Sequence, residues 1–199
     1  ILDLAKIEAG RMDATIARHS VSPIVTGVTH SIAPLANEKN LELRVSCPDG
    51  LYVDTDRSRL GQILRNLLSN AVKFTERGSV TVEVLGHDVA DTADITSEHL
   101  VFRVSDTGMG IPAHMVSTIF EAFQQADGGT SRTHGGTGLG LAISRQLAHL
   151  LGATLTLEST SPSGSVFELR HPIEQTPRLS TDASPRPHHS PPAPATSRL

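Results

Sequence analysis

Between Leu60 and Ala71 the chain reads LGQILRNLLSNA, and Leu60, Ile63, Leu64, Leu67, Leu68 and Ala71 recur at i, i+3, i+4, i+7 and i+8. At about 100° per residue this puts them on one stripe of a helix, and such a stripe has to be buried against another layer. SVTVEVL from Ser79 and LVFRVSD ending at Asp106 instead alternate with period two, as strands buried on one face do. A helix with one apolar stripe and strands with one apolar face bury each other as two layers. The pattern therefore predicts an α/β fold: a two-layer α/β sandwich, with helices on one face of a mixed, mostly antiparallel sheet.

The remaining segments extend this frame. ILDLAKIEAG reads as the last turns of a helix stopped by Gly10. It is shorter than the roughly 12–15 residues at which an isolated helix is marginal, so its beginning is expected upstream of Ile1, in a longer protein. Ser20 or Ser22 is placed to cap a helix running to about Asn37, followed by strands LELRVS and LYVD. Asp54 or Asp56 can cap the helix of the leucine stripe, with Gly78 expected to end it. GHDVADTADITSEH is a polar, acidic connection, and a short helix is expected after Pro112. Residues 126–137, rich in Gly, Ser and Thr, read as a mobile loop. Leu139, Ile143, Leu147, Leu150 and Leu151 then mark an amphipathic helix, and ATLTLES and SVFELR form a hairpin around SPSG. From Gln175 onward the chain holds six of its 12 prolines and almost no large apolar residues, so it reads as a disordered linker. The expected division is residues 1–19, a folded domain over 20–174, and a tail over 175–199.

Composition narrows the classes of partner. A formal net charge of -4 over 199 residues is too mildly acidic to suggest nucleic acid or an anionic membrane. Aromatic residues make up 3% with no Trp, so a flat ligand would be held mainly by aliphatic side chains. Cys47 is the only cysteine, which excludes an internal disulfide framework. No apolar run approaches the roughly 20 residues that span a bilayer.

Three clusters carry chemical information. Asn66, Asn70 and Lys73 form a second stripe on the shoulder of the leucine stripe, where polar groups are partly desolvated and need partners. A neighbouring loop or a ligand would serve. In VSDTGMGIP, Asp106 points to the same face as Leu100, Phe102 and Val104, and a carboxylate there needs a donor. An exocyclic amine of a base is one candidate and a capped loop the other. Gly108 and Gly110 remove side chains where a flat group could approach the backbone. GGTGLGLAIS, ending at Ser144, leads glycines straight into a helix whose first N–H groups are unsatisfied. That is either a phosphate site or a flexible start to a helix. It fits neither a dinucleotide fingerprint, because Leu141 stands at the third glycine position, nor a Walker loop, because no Gly-Lys pair occurs. Taken in order, an amide-plus-lysine edge for a metal and polyphosphate, a carboxylate for a base and glycine amides for phosphates make a nucleotide site. An amide oxygen is a hard ligand of the kind Mg²⁺ accepts.

In these residues the sequence resembles the ATP-binding catalytic domain of bacterial sensor histidine kinases, a fold shared with DNA gyrase and mismatch-repair ATPases. RNLLSNAVKFT resembles the N box, DTGMGIP the first glycine box, FEAF the F box and GGTGLGLAIS the second glycine box. DLAKIEAG resembles the end of the dimerisation and phosphoacceptor hairpin. NAVKFTERG with FQQAD is similar to hybrid kinases, in which receiver domains follow. The resemblance implies ATP and Mg²⁺ as cofactors, with Asn70 as metal ligand. It gives Asn66 and Lys73 the catalytic duties of ordering metal and phosphates and of contacting phosphate. It implies Asp106 as acceptor from the adenine amine, with Gly108 and Gly110 beside the ring. Gly136, Thr137, Gly138, Leu139 and Gly140 would line or hinge the phosphate side, and Arg132 would stand at a basic lid position. The hydrolysing relatives carry a carboxylate as water base where this chain has Asn66, and a neutral amide cannot take a proton at neutral pH. The site is therefore expected to hold Mg-ATP without rapid hydrolysis and to hand its γ-phosphoryl group to a histidine.

That histidine is not expected within the chain. None of the ten histidines has an acceptor setting; His87-Asp88 comes closest but continues as VADTAD within the acidic connection. His114, His134 and His149 read as surface or lid residues, and His188-His189 as a solvated pair. The implied partners are the protein's own hairpin, a receiver domain or response regulator, and a second copy in a full-length homodimer. The fragment alone is expected to be monomeric, and the domain to be the cytoplasmic part of a membrane-anchored sensor. Two other readings remain open: a serine kinase of the anti-sigma-factor type, which has no hairpin, and a degenerate module that only binds nucleotide.

Overall fold

The computed structural model describes residues 12–86, 99–123 and 138–173. DLAKIEAG, His87-Asp88 and most of the acidic connection, residues 126–137 with Arg132, His134, Gly136 and Thr137, and the tail with His188-His189 lie outside the described residues.

Strand β1 (Ala17–Ser20) leads into helix α1 (Val21–Glu38), followed by β2 (Glu42–Ser46), β3 (Tyr52–Thr55) and helix α2 (Arg57–Phe74). Strands β4 (Ser79–Gly86) and β5 (His99–Asp106) come next, then a 3-10 turn at Ala113–Met115, helix α3 (Gly140–Leu150), β6 (Thr154–Ser161) and β7 (Gly164–Pro172). Five strands form one sheet in the order β2-β4-β5-β7-β6; β2 runs parallel to β4 and every other neighbour is antiparallel. The predicted two-layer, mixed and mostly antiparallel architecture is therefore present. The leucine stripe of α2 is buried against Val80, Val82 and Val84 of β4, Leu100, Phe102 and Val104 of β5, and Leu169 of β7. α1 and α3 flank α2 over the same core with Val21, Ile24, Val25, Val28 and Ile32, and with Leu147 and Ala148.

Some local expectations are resolved and others corrected. Asp56 rather than Asp54 caps α2, its carboxylate accepting from the N–H groups of Ser58 at 2.9 Å and Arg59 at 3.1 Å. Ser20 stands at the cap position of α1 but its hydroxyl caps nothing. Gly78 does not end α2. The helix stops at Phe74, where Thr75 turns extended and its hydroxyl bonds back to the Ala71 carbonyl at 2.7 Å. The segment after Pro112 closes only a 3-10 turn. In α3 the buried face includes Ala142, Ser144 and Ala148, while Ile143 and Leu150 are half-buried. Strand β1, unmarked by any alternation, owes its existence to antiparallel pairing with β3.

Lys39, just past the end of α1, donates to the carbonyls of Val72 at 2.9 Å, Lys73 at 2.7 Å and Thr75 at 3.2 Å. These are carbonyls that a helix C-terminus leaves without intrahelical partners, and an ammonium there also complements the negative end of the dipole. The remaining carbonyl, that of Phe74, accepts from the Met109 N–H at 3.5 Å. The last turn of α2 is thereby joined to α1 on one side and to the Asp106–Pro112 turn on the other.

Candidate functional site

Asn66, Asn70 and Lys73 lie along one half-buried edge of α2, as their spacing beside the leucine stripe requires. The Asn66 amide nitrogen donates to the Gly140 carbonyl at 3.3 Å and to the Ser144 hydroxyl at 3.1 Å, both on α3. A carbonyl only accepts, so this contact identifies the nitrogen end of the amide, and no described residue donates to its oxygen. The side chain of Asn70, one turn further, makes no hydrogen bond to any described residue. Burial lowers the Lys73 ammonium below the usual lysine range, and its Nζ sits 4.7 Å from the centre of the Phe74 ring.

Asp106 ends β5, and the turn that follows it meets the C-terminal end of α2 at the Phe74 carbonyl. Burial pushes its carboxyl above the usual carboxylate range, while N–H donors from Gly108 and Ser165 pull the other way. The Gly108 N–H reaches Oδ1 at 2.8 Å, so the carboxylate caps its own turn. That turn is fastened on all sides. The Thr107 N–H bonds the Ser79 carbonyl at 3.1 Å, and the Ile111 N–H bonds the Thr160 hydroxyl at 2.8 Å. A Cβ on Gly108 would run into the Phe74 carbonyl and Asp106 Oδ1, and one on Gly110 (φ +71°) into the Ser161 carbonyl. Space for these glycines is thus demanded by the protein's own backbone, a different physical reason from the close approach of a flat ligand expected from the sequence.

At the start of α3, Gly138 adopts φ +68° and its carbonyl accepts the Phe123 N–H at 3.1 Å. Buried Leu139 occupies the cap position of α3 without any side-chain cap, and the first intrahelical bond runs from the Ile143 N–H to its carbonyl at 2.9 Å. A Cβ on Gly140 would meet nothing closer than Asn66 Cγ at 3.9 Å. Phe120 of FEAF packs edge-on against Phe167 with ring centres 6.3 Å apart, and the Arg145 guanidinium lies 5.4 Å from the same ring. Phe123, by contrast, is 64% exposed with φ +66°. His114 and His149 are exposed, as expected for surface residues.

The described parts of the three clusters thus converge: the α2 edge touches the α3 N-terminus through Asn66, and the α2 C-terminus touches the Asp106 turn through Phe74. Arg132, Gly136 and Thr137 fall outside the described residues. Sequence reasoning missed Ser144 as the partner of Asn66, Lys39 as the clamp on α2, and Thr160 and Ser165 as supports of the Asp106 turn. Only Ser144 lay inside a recognised motif. The donor set suits Mg²⁺, since amide oxygens on α2 are hard ligands and those of Asn66 and Asn70 have no donor among the described residues.

Comparisons with known proteins identify the family and the fold. The family described as histidine kinase-, DNA gyrase B-, and HSP90-like ATPase matches residues 55–175, more than half of the chain. The circadian input-output histidine kinase CikA of Synechococcus elongatus is 39% identical over 94% of this chain and 25% of its own length. The signal transduction histidine-protein kinase BarA of Escherichia coli is 34% identical over 90% of this chain and 19% of its own. The chain therefore spans a quarter or less of these relatives. Among solved structures, full-length ShkA in complex with AMPPNP superposes with a TM-score of 0.71 at 30% identity, over 86% of this chain and 34% of that one. The Acinetobacter baumannii histidine kinase AdeS shares the fold, with a TM-score of 0.68 at 20% identity over 87% of this chain and 75% of that one. The chain belongs to the histidine kinase-, DNA gyrase B- and HSP90-like ATPase family, as the ATP-binding catalytic domain of a histidine kinase.

Proposed function

We propose that this chain binds ATP with Mg²⁺ between the α2 edge, the Asp106 turn and the start of α3. It then transfers the γ-phosphoryl group to a histidine on a dimerisation hairpin, for onward transfer to a response-regulator or receiver aspartate. One observation carries this reading: two amide oxygens on a half-buried edge of α2 have no donor among the described residues, and one of them, that of Asn66, belongs to an amide bonded to the uncapped N-terminal turns of α3. Such a pairing of hard oxygen ligands with free backbone N–H groups favours a metal-bound polyphosphate.

In this reading Asn70 is the metal ligand, and Asn66 helps order metal and phosphates. Lys73 supplies a compact positive charge for phosphate; burial favours its neutral form, and an approaching polyphosphate opposes that shift. Asp106 accepts a hydrogen bond from the adenine amine on a turn that Gly108 and Gly110 allow to pack tightly. When bound there, Mg²⁺ held by Asn70 would supply charge neutralisation for the transferring phosphoryl group. Asn66 offers no base to activate water, so the residues hold ATP for an acceptor and do not spend it on hydrolysis. Arg132, Gly136 and Thr137 complete the phosphate side, with Gly138, Leu139 and Gly140 at the start of α3. The domain works in the cytoplasm, within a homodimeric sensor whose hairpin precedes it. Alone it is monomeric and does not label itself.

The test mixes the chain with a separately produced dimeric hairpin domain carrying its histidine, Mg²⁺ and γ-labelled ATP. Acid-labile, base-stable phosphate on the hairpin is the expected result. Acid-stable label on a serine would move the protein to the serine-kinase class, and no binding of ATP by the folded chain would overturn the reading altogether.

A further inference from the structure

Resting on the nucleotide-site reading above, we infer that Ser144 is a positioning residue: its hydroxyl, with the Gly140 carbonyl, holds the Asn66 amide so that its oxygen is the end left for the Mg-nucleotide. Ser144 lies in the first turns of α3 and is fully buried. A serine in a helix interior has only modest propensity and competes for backbone bonds, so a buried one needs a partner. The described partner is Asn66, at 3.1 Å from Nδ2. The second acceptor for the same nitrogen is the Gly140 carbonyl at 3.3 Å, one turn earlier on the same helix.

Amides are ambiguous end to end, and turning Asn66 over would exchange an oxygen ligand for an N–H₂ donor that a cation repels. Against the Gly140 carbonyl the turned amide would set oxygen on oxygen, whereas the Ser144 hydroxyl, which both donates and accepts, could serve either end. The Gly140 carbonyl therefore selects the orientation, and Ser144 fixes where the amide so oriented sits, which is the contact that mutation can remove. The same pair of bonds ties the metal-bearing helix to the glycine-led helix across 78 positions of sequence. Any shift of the α3 N-terminus relative to α2 is thus transmitted to the Asn66 oxygen. Ligand-orienting partners of this kind change metal affinity by roughly 10- to 100-fold when removed.

The experiment measures ATP affinity by titration calorimetry with Mg²⁺ and, separately, with EDTA, for the wild type, Ser144→Ala, Asn66→Ala and the double variant. Thermal melts of each without nucleotide accompany the titrations. The expected result is about a tenfold loss of Mg-ATP affinity in Ser144→Ala, a much smaller change in EDTA, and no additional loss when Ser144→Ala is added to Asn66→Ala. Equal losses with and without the metal, or additive losses in the double variant, would show Ser144 to be a packing residue and overturn the inference. Unchanged Mg-ATP affinity in a folded Ser144→Ala protein would overturn it as well. Failure of the wild type itself to bind Mg-ATP would instead refute the function on which the inference rests.

Discussion

Replacing Asp106 with Asn tests the base-recognition role proposed for this residue more sharply than any truncation. The substitution keeps the shape and one oxygen, so the Gly108 N–H, now 2.8 Å from Oδ1, can still be satisfied. It removes the charge and converts one acceptor into an N–H₂ donor, which faces either the adenine amine or the Ser165 N–H that also serves this carboxylate. A hydrogen bond to a charged group is worth about 1.5–3 kcal/mol, so Mg-ATP affinity is expected to fall by roughly one to two orders of magnitude. The unliganded fold should respond in the opposite sense. Burial raises the Asp106 carboxyl above its unfolded value. Its contribution to stability is therefore fully present below the unfolded pKa of about 3.9 and is lost as pH rises through the higher folded value. At neutral pH the ionised group is thus a liability, and Asp106→Asn should be at least as stable as the wild type there. The advantage should shrink toward pH 4. Calorimetric titration with Mg-ATP and thermal melts from pH 4 to 8 read both effects. A folded variant with undiminished affinity would remove Asp106 from base recognition. A variant destabilised at pH 7 by more than about 2 kcal/mol would show that the carboxylate chiefly caps its turn, a scale set by the loss of a charged hydrogen bond.

Two further outcomes concern the frame around the site. Lys39→Met should lower unfolding stability by about 2 kcal/mol in urea, because three carbonyls at the end of α2 lose a charged donor; a change within about 0.5 kcal/mol, ordinary for a surface substitution, would refute the clamp. His171 is 1% exposed, and its Nδ1 faces the Pro172 carbonyl at 2.8 Å and its Nε2 the Thr55 hydroxyl at 3.1 Å. The carbonyl can only accept, so Nδ1 carries the proton and Nε2 accepts in the neutral ring. Burial, with His99 nearby, lowers its pKa against the opposing pull of the Pro172 carbonyl and Asp54. Stability should therefore hold above the unfolded value of about 6.5 and fall as pH drops from there through the folded value. Melting temperatures between pH 7.5 and 5 should show this loss in the wild type and less of it in His171→Gln; identical profiles would assign acid sensitivity elsewhere.

Periodicity alone determined the layered fold. The stripe from Leu60 to Ala71 and the alternation in SVTVEVL and LVFRVSD can be satisfied only by burying helix against sheet, and both effects act between near neighbours in sequence. The same local rules put Asn66, Asn70 and Lys73 on one edge and turned Asp106 toward the core. Tertiary structure alone decided who meets these groups. β1 forms because β3 lies beside it, and β2 joins β4 in parallel across an intervening helix. Asn66 meets Gly140 and Ser144, Lys39 meets the end of α2, and His171 meets Thr55 from 116 positions away. Hydrogen bonds between distant segments have no period and leave no local trace. Their partners emerge only once burial has stacked the layers and every desolvated donor and acceptor must be satisfied.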